Sequence, residues 1–192
     1  YLPLILMLLG LIFRGVAFEF RFKASEQRRH WWDKAFIGGS LVATFFQGVT
    51  LGGFLQGIEV VDRAYAGGGL DWLTPFSMFT GLGLVVTYAL LGCTWLILKT
   101  GGPLQARMVE IGRPLTIALA AVIAVISVWT PLAHPEIAAR WLGWPNTLWF
   151  APVPVLVVAT VWQLLKRLDD APDASPFVLT LCLVFLGYSG LG

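Results

Sequence analysis

The 192-residue sequence is poor in charge and in the side chains that bind metals: 12% of its residues are Asp, Glu, Lys or Arg, and it has two cysteines and two histidines. Soluble domains carry about 25% charged residues. With 57% hydrophobic residues and a mean hydropathy of +0.78, this scarcity excludes an ordinary water-soluble domain and points to an integral membrane protein. The net charge of +2 leaves no basic surface for nucleic acid. Cys93 and Cys182 both lie in apolar stretches, where a free thiol behaves as a small hydrophobe, so neither a disulfide framework nor a CxxC metal site is available. A haem held by two imidazoles needs them on facing helices within the bilayer. His30 stands in a basic segment and His134 in "PLAHPEI", both outside the apolar runs, and no membrane histidine completes a set with Met7 or Met78. A stand-alone b-type cytochrome is therefore excluded. No GxSxG, SxxK or GxxxxGK[ST] pattern offers a nucleophile or a phosphate loop.

What is present is a succession of long apolar runs. About 20 apolar residues cross the hydrocarbon core as a helix. Six spans are expected: Tyr1 to Phe20, Ala35 to Ile58, Leu73 to Leu98, Leu115 to Leu132, Leu148 to Leu165, and Phe177 to Gly192. The runs do not alternate and are about twice the length of a membrane strand, which excludes a β-barrel. The fold class is all-α, a polytopic helical bundle. Tyr1 already stands in an apolar run and "LVFLGYSGLG" has no polar flank, so a piece of a longer chain is expected.

Cytoplasmic loops retain Lys and Arg. The segment Arg21 to Lys34 holds five (Arg21, Lys23, Arg28, Arg29, Lys34), and the next holds only Arg63. Lys99, Arg107 and Arg113 follow, then Arg140 alone, then Lys166 and Arg167. The alternation puts the first, third and fifth connections in the cytoplasm. Trp31, Trp32, Trp72, Trp141, Trp144 and Trp149 lie near the expected boundaries and read as interfacial belts. Pro103, Pro114, Pro135, Pro145 and Pro176 are expected outside spans or in their first turns, with Pro152 and Pro154 kinking the fifth. Gly48 and Gly52, four apart, suit close helix contact or a ligand on bare backbone, and "GLGLV" at Gly81 reads as packing.

The unusual charge is Arg14, within "GLIFRGVAFEFRFK". It lies seven residues, about 10 Å, deeper than Arg21, where a charge at a helix centre costs about 2.5–3.5 kcal/mol. Glu19 is five positions on, about 140° around the helix, and is spaced instead to meet Lys23. Arg14 is thus expected either to snorkel and pair structurally or to serve an internal polar or proton pathway with Glu19. Gln56, near the outer end of the second span, is expected either to hydrogen-bond between helices or to line a polar cavity.

Together "LGLIFRGVAFEFRFK", "WWDKAFIGGSLVATFFQGVTLGGFLQGI", "LTPFSMFTGLGLVVTYALLGCTWLILKTGGPLQAR" and "NTLWFAPVPVLVV" resemble subunit II of the cytochrome bd quinol oxidases over essentially the whole chain. Arg14, Glu19 and Arg21 carry the most specific likeness, with Leu55, Gln56 and Gly57 at the family's LLQG, and "RGVAFEFR" is most similar to the cyanide-insensitive branch. The resemblance implies an eight-helix subunit of two four-helix bundles in the bacterial inner membrane. Residues 1–58 would end the first bundle and 73–192 form most of the second. It further implies a haem-carrying subunit I holding haems b and d, quinol oxidation coupled to O2 reduction and a proton motive force, a structural quinone, surrounding lipid and a small single-helix subunit. No residue of this chain is assigned as catalytic or as a cofactor or metal ligand. The alternative function is a transporter or channel subunit, which embedded charges and broken helices would favour.

Overall fold

In the computed structural model, the described residues are 1–57, 60–61, 64–65, 67–133, 138–139, 143, 151–170 and 174–189. They form six principal helices: α1 (Leu2–Lys23), α2 (Glu26–Leu55), α3 (Pro75–Lys99), α4 (Pro103–Ala133), α5 (Pro152–Asp170) and α6 (Ser175–Ser189). Between α2 and α3, β1 (Val60–Val61) pairs antiparallel with β2 (Ala64–Tyr65), Val60 opposite Tyr65. The chain is an all-α membrane bundle. By length and composition α1 to α4 are each able to cross a bilayer, and α6 is a shorter apolar helix. In α5 the apolar run ends in Lys166, Arg167, Asp169 and Asp170.

The helices extend beyond the apolar runs, which corrects two expected loops. Between α1 and α2 only Ala24 and Ser25 are extended (ψ 146° and 154°), and helix resumes at Glu26. Glu26, Gln27, Arg28 and Arg29 are good helix formers; hydropathy marks them as leaving the membrane, not as leaving the helix. Likewise Gly102, at φ +69°, turns the chain directly into α4. Pro114 consequently lies inside α4, as does Pro131. Without an N–H, Pro114 makes no bond to the carbonyl of Glu110. Pro152 and Pro154 open α5 instead of kinking it, in the first turn, where a missing donor costs nothing. Pro135 and Pro145 lie outside the described residues.

Two compact units divide within α3, Tyr1–Val85 and Val86–Gly192. In the first, α1 and α2 form an antiparallel hairpin joined along a glycine seam. A Cβ on Gly10 would stand 2.9 Å from the Ala43 nitrogen, and one on Gly39 2.9 Å from both Arg14 N and Gly10 O. Small residues let helix backbones approach this closely, and such contact drives association where lipid is as apolar as any side chain. Gly48 faces Gly81 and Thr80, and Gly52 faces Ser77, each with no room for a methyl group. Gly48, Gly52 and Gly81 are thus packing positions.

The second unit packs by side chains. Leu90, Ile97, Leu119, Leu164, Leu168 and Leu183 form its buried core. Buried hydroxyls turn back on their own helices: Thr94 donates to Leu90 O, Thr116 to Gly112 O, Thr130 to Ile126 O and Thr180 to Pro176 O, at 2.8–2.9 Å. Lacking water, an apolar environment demands such internal satisfaction, and among the described residues no buried side-chain N or O lacks a partner. Cys93 is buried with its thiol on Met108 O, and Cys182 is exposed. Outward faces remain apolar, with Leu8, Leu9, Ile12 and Phe13 exposed on α1.

Candidate functional site

Arg14 sits on α1 where the missing side chain of Gly39 lets the two backbones touch. Its guanidinium lies over the Phe36 ring of α2, 5.2 Å from the centroid. Phe36 in turn meets Phe18, at 6.2 Å. Arg14 nevertheless stays exposed on the chain, and among the described residues no carboxylate forms an ion pair with it. An exposed cation–π contact contributes about 0.5–1 kcal/mol, well short of the roughly 2.5–3.5 kcal/mol cost of a charge at mid-membrane depth. The ring orients the guanidinium without meeting its full demand for polar contact.

Glu19 is not brought to Arg14. It binds Lys23 Nζ at 2.8 Å, with both side chains largely exposed. Arg21 reaches across the hairpin to the carboxylate of Asp33, and beside it Phe20 stacks on Trp32 at 5.2 Å. These cross-helix contacts close the charged end of the hairpin. Asp33 and Phe36 carry no signal of their own in the sequence: hydropathy leaves Asp33 in the loop and Phe36 as the second residue of the expected second span, and only the α2 register continued back to Glu26 sets Asp33 on the same helix as Phe36.

A polar junction forms where α2 meets α3. Gln56 caps α2, and Gly57 at φ +83° ends it. Gln56 Oε1 accepts from Thr74 Oγ1 at 2.6 Å. Thr74 and Ser77 cap α3 reciprocally: Ser77 N donates to Thr74 Oγ1 at 3.1 Å, and Thr74 N to Ser77 Oγ at 3.2 Å. The T-x-x-S spacing of "TPFS" is a capping-box variant visible in the sequence. Trp72, near the same end, donates its indole N–H to Gly69 O at 2.9 Å.

The family model for cytochrome bd terminal oxidase subunit II matches residues 1–192. This chain belongs to that family. Subunit 2 of the cytochrome bd-I ubiquinol oxidase of Escherichia coli (strain K12) is 29% identical over 97% of this chain and 58% of its own length. The cytochrome bd ubiquinol oxidase subunit 2 of Bacillus subtilis (strain 168) is 32% identical over 56% of this chain and 32% of its own length. The chain thus spans less than two thirds of these relatives. As a member of the cytochrome bd subunit II family with four apolar spanning helices, it is a multi-pass inner-membrane protein. The transporter or channel reading is set aside by the family match.

The cytochrome bd family implies haems in the complex, and the described residues of this chain do not fit an axial pair. His30, at the exposed start of α2, has Nδ1 3.0 Å from Gln27 O, and His134 lies outside the described residues. Among the described residues no three His, Cys, Asp or Glu side chains gather as a metal set.

Proposed function

We propose that the chain works as part of subunit II of a bacterial cytochrome bd-type terminal oxidase, in a complex that oxidises quinol, reduces O2 to water and builds a proton motive force. The observation that carries this is the family match over all 192 residues. The subunit's task is to hold and orient the assembly, with haems b and d carried by subunit I; among the described residues His30 is the one imidazole and stands at the exposed start of α2, which supports that division. Residues 1–58 then belong to one helical bundle and 73–192 to a second. Lipid, a structural quinone and a small single-helix subunit complete the surroundings.

Each candidate residue has a part in this reading. Arg14 organises polar groups in the cytoplasmic half of the membrane, supported by its depth and by the single aromatic partner that leaves its donors available. Glu19, held by Lys23, takes a polar role at the membrane edge. Arg21 fixes the hairpin through Asp33, and Gln56 ties α2 to the cap of α3. Replacing Arg14 with Leu in the full complex is expected to lower oxidase activity and haem content together; both unchanged would remove Arg14 from any such role. An optical spectrum of the chain expressed without subunit I is expected to show no haem, and stoichiometric haem would overturn the assignment.

A further inference from the structure

Three lysines of this chain rest on tryptophans in the same way. Lys34 Nζ lies 5.2 Å from the ring centroid of Trp31 on α2, Lys99 Nζ 5.1 Å from Trp95 on α3, and Lys166 Nζ 5.7 Å from Trp162 on α5. Each pair is one helical turn apart in sequence. Each lies toward the end of its helix that the Lys and Arg count assigns to the cytoplasm. The indoles face outward, with Trp31 64%, Trp95 45% and Trp162 64% exposed. None of the three lysines joins an ion pair among the described residues.

Trp72 by contrast spends its N–H on Gly69 O. The paired rings have aromatic neighbours of their own, Trp31 meeting His30 and Trp95 meeting Phe177, each at 5.1 Å between centroids. The three paired indoles make no hydrogen bond within the described chain, so each site offers two donors side by side on an outward aromatic surface. An ammonium and an indole N–H at headgroup depth match a phosphodiester, and the ring beneath them matches the first methylenes of an acyl chain. Lys166 and Lys99 each sit four residues beyond their tryptophan, so the ring holds the ammonium close to the helix rather than letting it extend into water.

We propose that the three Lys–Trp pairs are headgroup sites for anionic phospholipid in the cytoplasmic leaflet. Charge complementarity selects the occupant: the cytoplasmic leaflet supplies anionic phosphodiesters next to juxtamembrane lysines, and each such lysine strengthens attachment about fivefold. At Trp31 the neighbouring Arg28 and Arg29, in the first turns of α2, add to the same attraction. They stand at a helix N-terminus, where the dipole disfavours cations, so helix stability does not account for their placement. The inference concerns the membrane surface and is independent of oxidase chemistry.

The test uses the full complex in nanodiscs of phosphatidylcholine and phosphatidylglycerol, with retained lipids counted by native mass spectrometry. Joint replacement Lys34→Gln, Lys99→Gln and Lys166→Gln is expected to lower the enrichment of phosphatidylglycerol about fivefold at each of the three sites, while the three Lys→Arg changes preserve it. Single Gln variants should each lower phosphatidylglycerol affinity at one site about fivefold, and they decide the matter if the triple variant does not assemble. Unchanged enrichment, or equal loss of both lipids, overturns the proposal. Displacement of the bound phosphatidylglycerol by inorganic phosphate also overturns it, since the sites would then be free-anion sites. Haem content and turnover, read in parallel, separate this outcome from failure of the oxidase reading.

Discussion

The α1–α2 hairpin and the Val86–Gly192 unit hold helices together by opposite means. Along the hairpin, Gly10 and Gly39 put backbone against backbone with no space for a methyl group. In the other unit, Leu90, Leu119, Leu164 and Leu183 interdigitate. In water both would be driven by expulsion of solvent, but lipid is as apolar as leucine, leaving packing and dispersion as the drive. The seam of the hairpin therefore tolerates no added atom, whereas the leucine core tolerates no removed one. It follows that equivalent substitutions have different costs on the two sides, and the most informative ones differ by a single carbon or a single position.

Gly38 and Gly39 make the sharpest test. A Cβ on Gly39 would meet the Arg14 and Gly10 backbones at 2.9 Å, while one on Gly38 meets nothing within 4 Å. Gly39→Ala is expected to destabilise the complex by about 2 kcal/mol, because rigid backbone must move. Gly38→Ala should be neutral or stabilise by up to about 1 kcal/mol through helix propensity. Denaturant titration of the purified complex measures both, and equal effects would refute the seam. On the leucine side, Leu183→Ala is expected to cost about 1–2 kcal/mol, near the cavity contribution alone, since the transfer contribution that raises such values in water is lost in lipid.

A smaller effect belongs to the junction that joins α2 to α3. Thr74→Val removes one half of the reciprocal cap and the bond to Gln56, and is expected to cost about 1 kcal/mol. Gln56→Leu, which leaves the cap intact, should cost less. Equal costs for the two variants would assign the junction's stability to the interhelix bond rather than the cap. The Arg21–Asp33 bridge is half exposed and screened; Asp33→Asn is expected to cost about 0.5 kcal/mol.

These features were unequally legible in the sequence. Membrane class and the places of the described apolar helices followed from the apolar runs, and the separation of Arg14 from Glu19 followed from helical angle, because both are properties of one segment. Gly48, Gly52 and Gly81 stand out as packing positions, yet Gly10 does not, and nothing local separates Gly39 from Gly38, since their meaning depends on the register between two helices and no local pattern specifies it. Arg21 to Lys34 read as loop because hydropathy reports where the membrane ends, while the hydrogen bonds of Arg28 and Arg29 to Ser25 O carry the helix on into water. Lys34, Lys99 and Lys166 counted only as loop charge; their tryptophans become informative once one-turn spacing is considered together with exposure.

The smallest expected effect separates the two charges of the opening motif. Arg14 lies against α2 with an aromatic ring as its one described partner, whereas Glu19 pairs with Lys23 on the exposed side of the same helix. An exposed i,i+4 pair exchanges one well-solvated arrangement for another, so Glu19→Gln is expected to leave the denaturation midpoint unchanged at moderate salt. Its oxidase rate decides the finer point. A carboxylate that relays protons cannot be replaced by an amide without loss of rate, whereas one that merely holds Lys23 at the membrane edge can. An unchanged rate in Glu19→Gln beside a reduced rate in Arg14→Leu would confine the functional charge to the face that α1 turns toward α2; a reduced rate with an unchanged midpoint would extend it to the exposed side and give Glu19 a proton-carrying role.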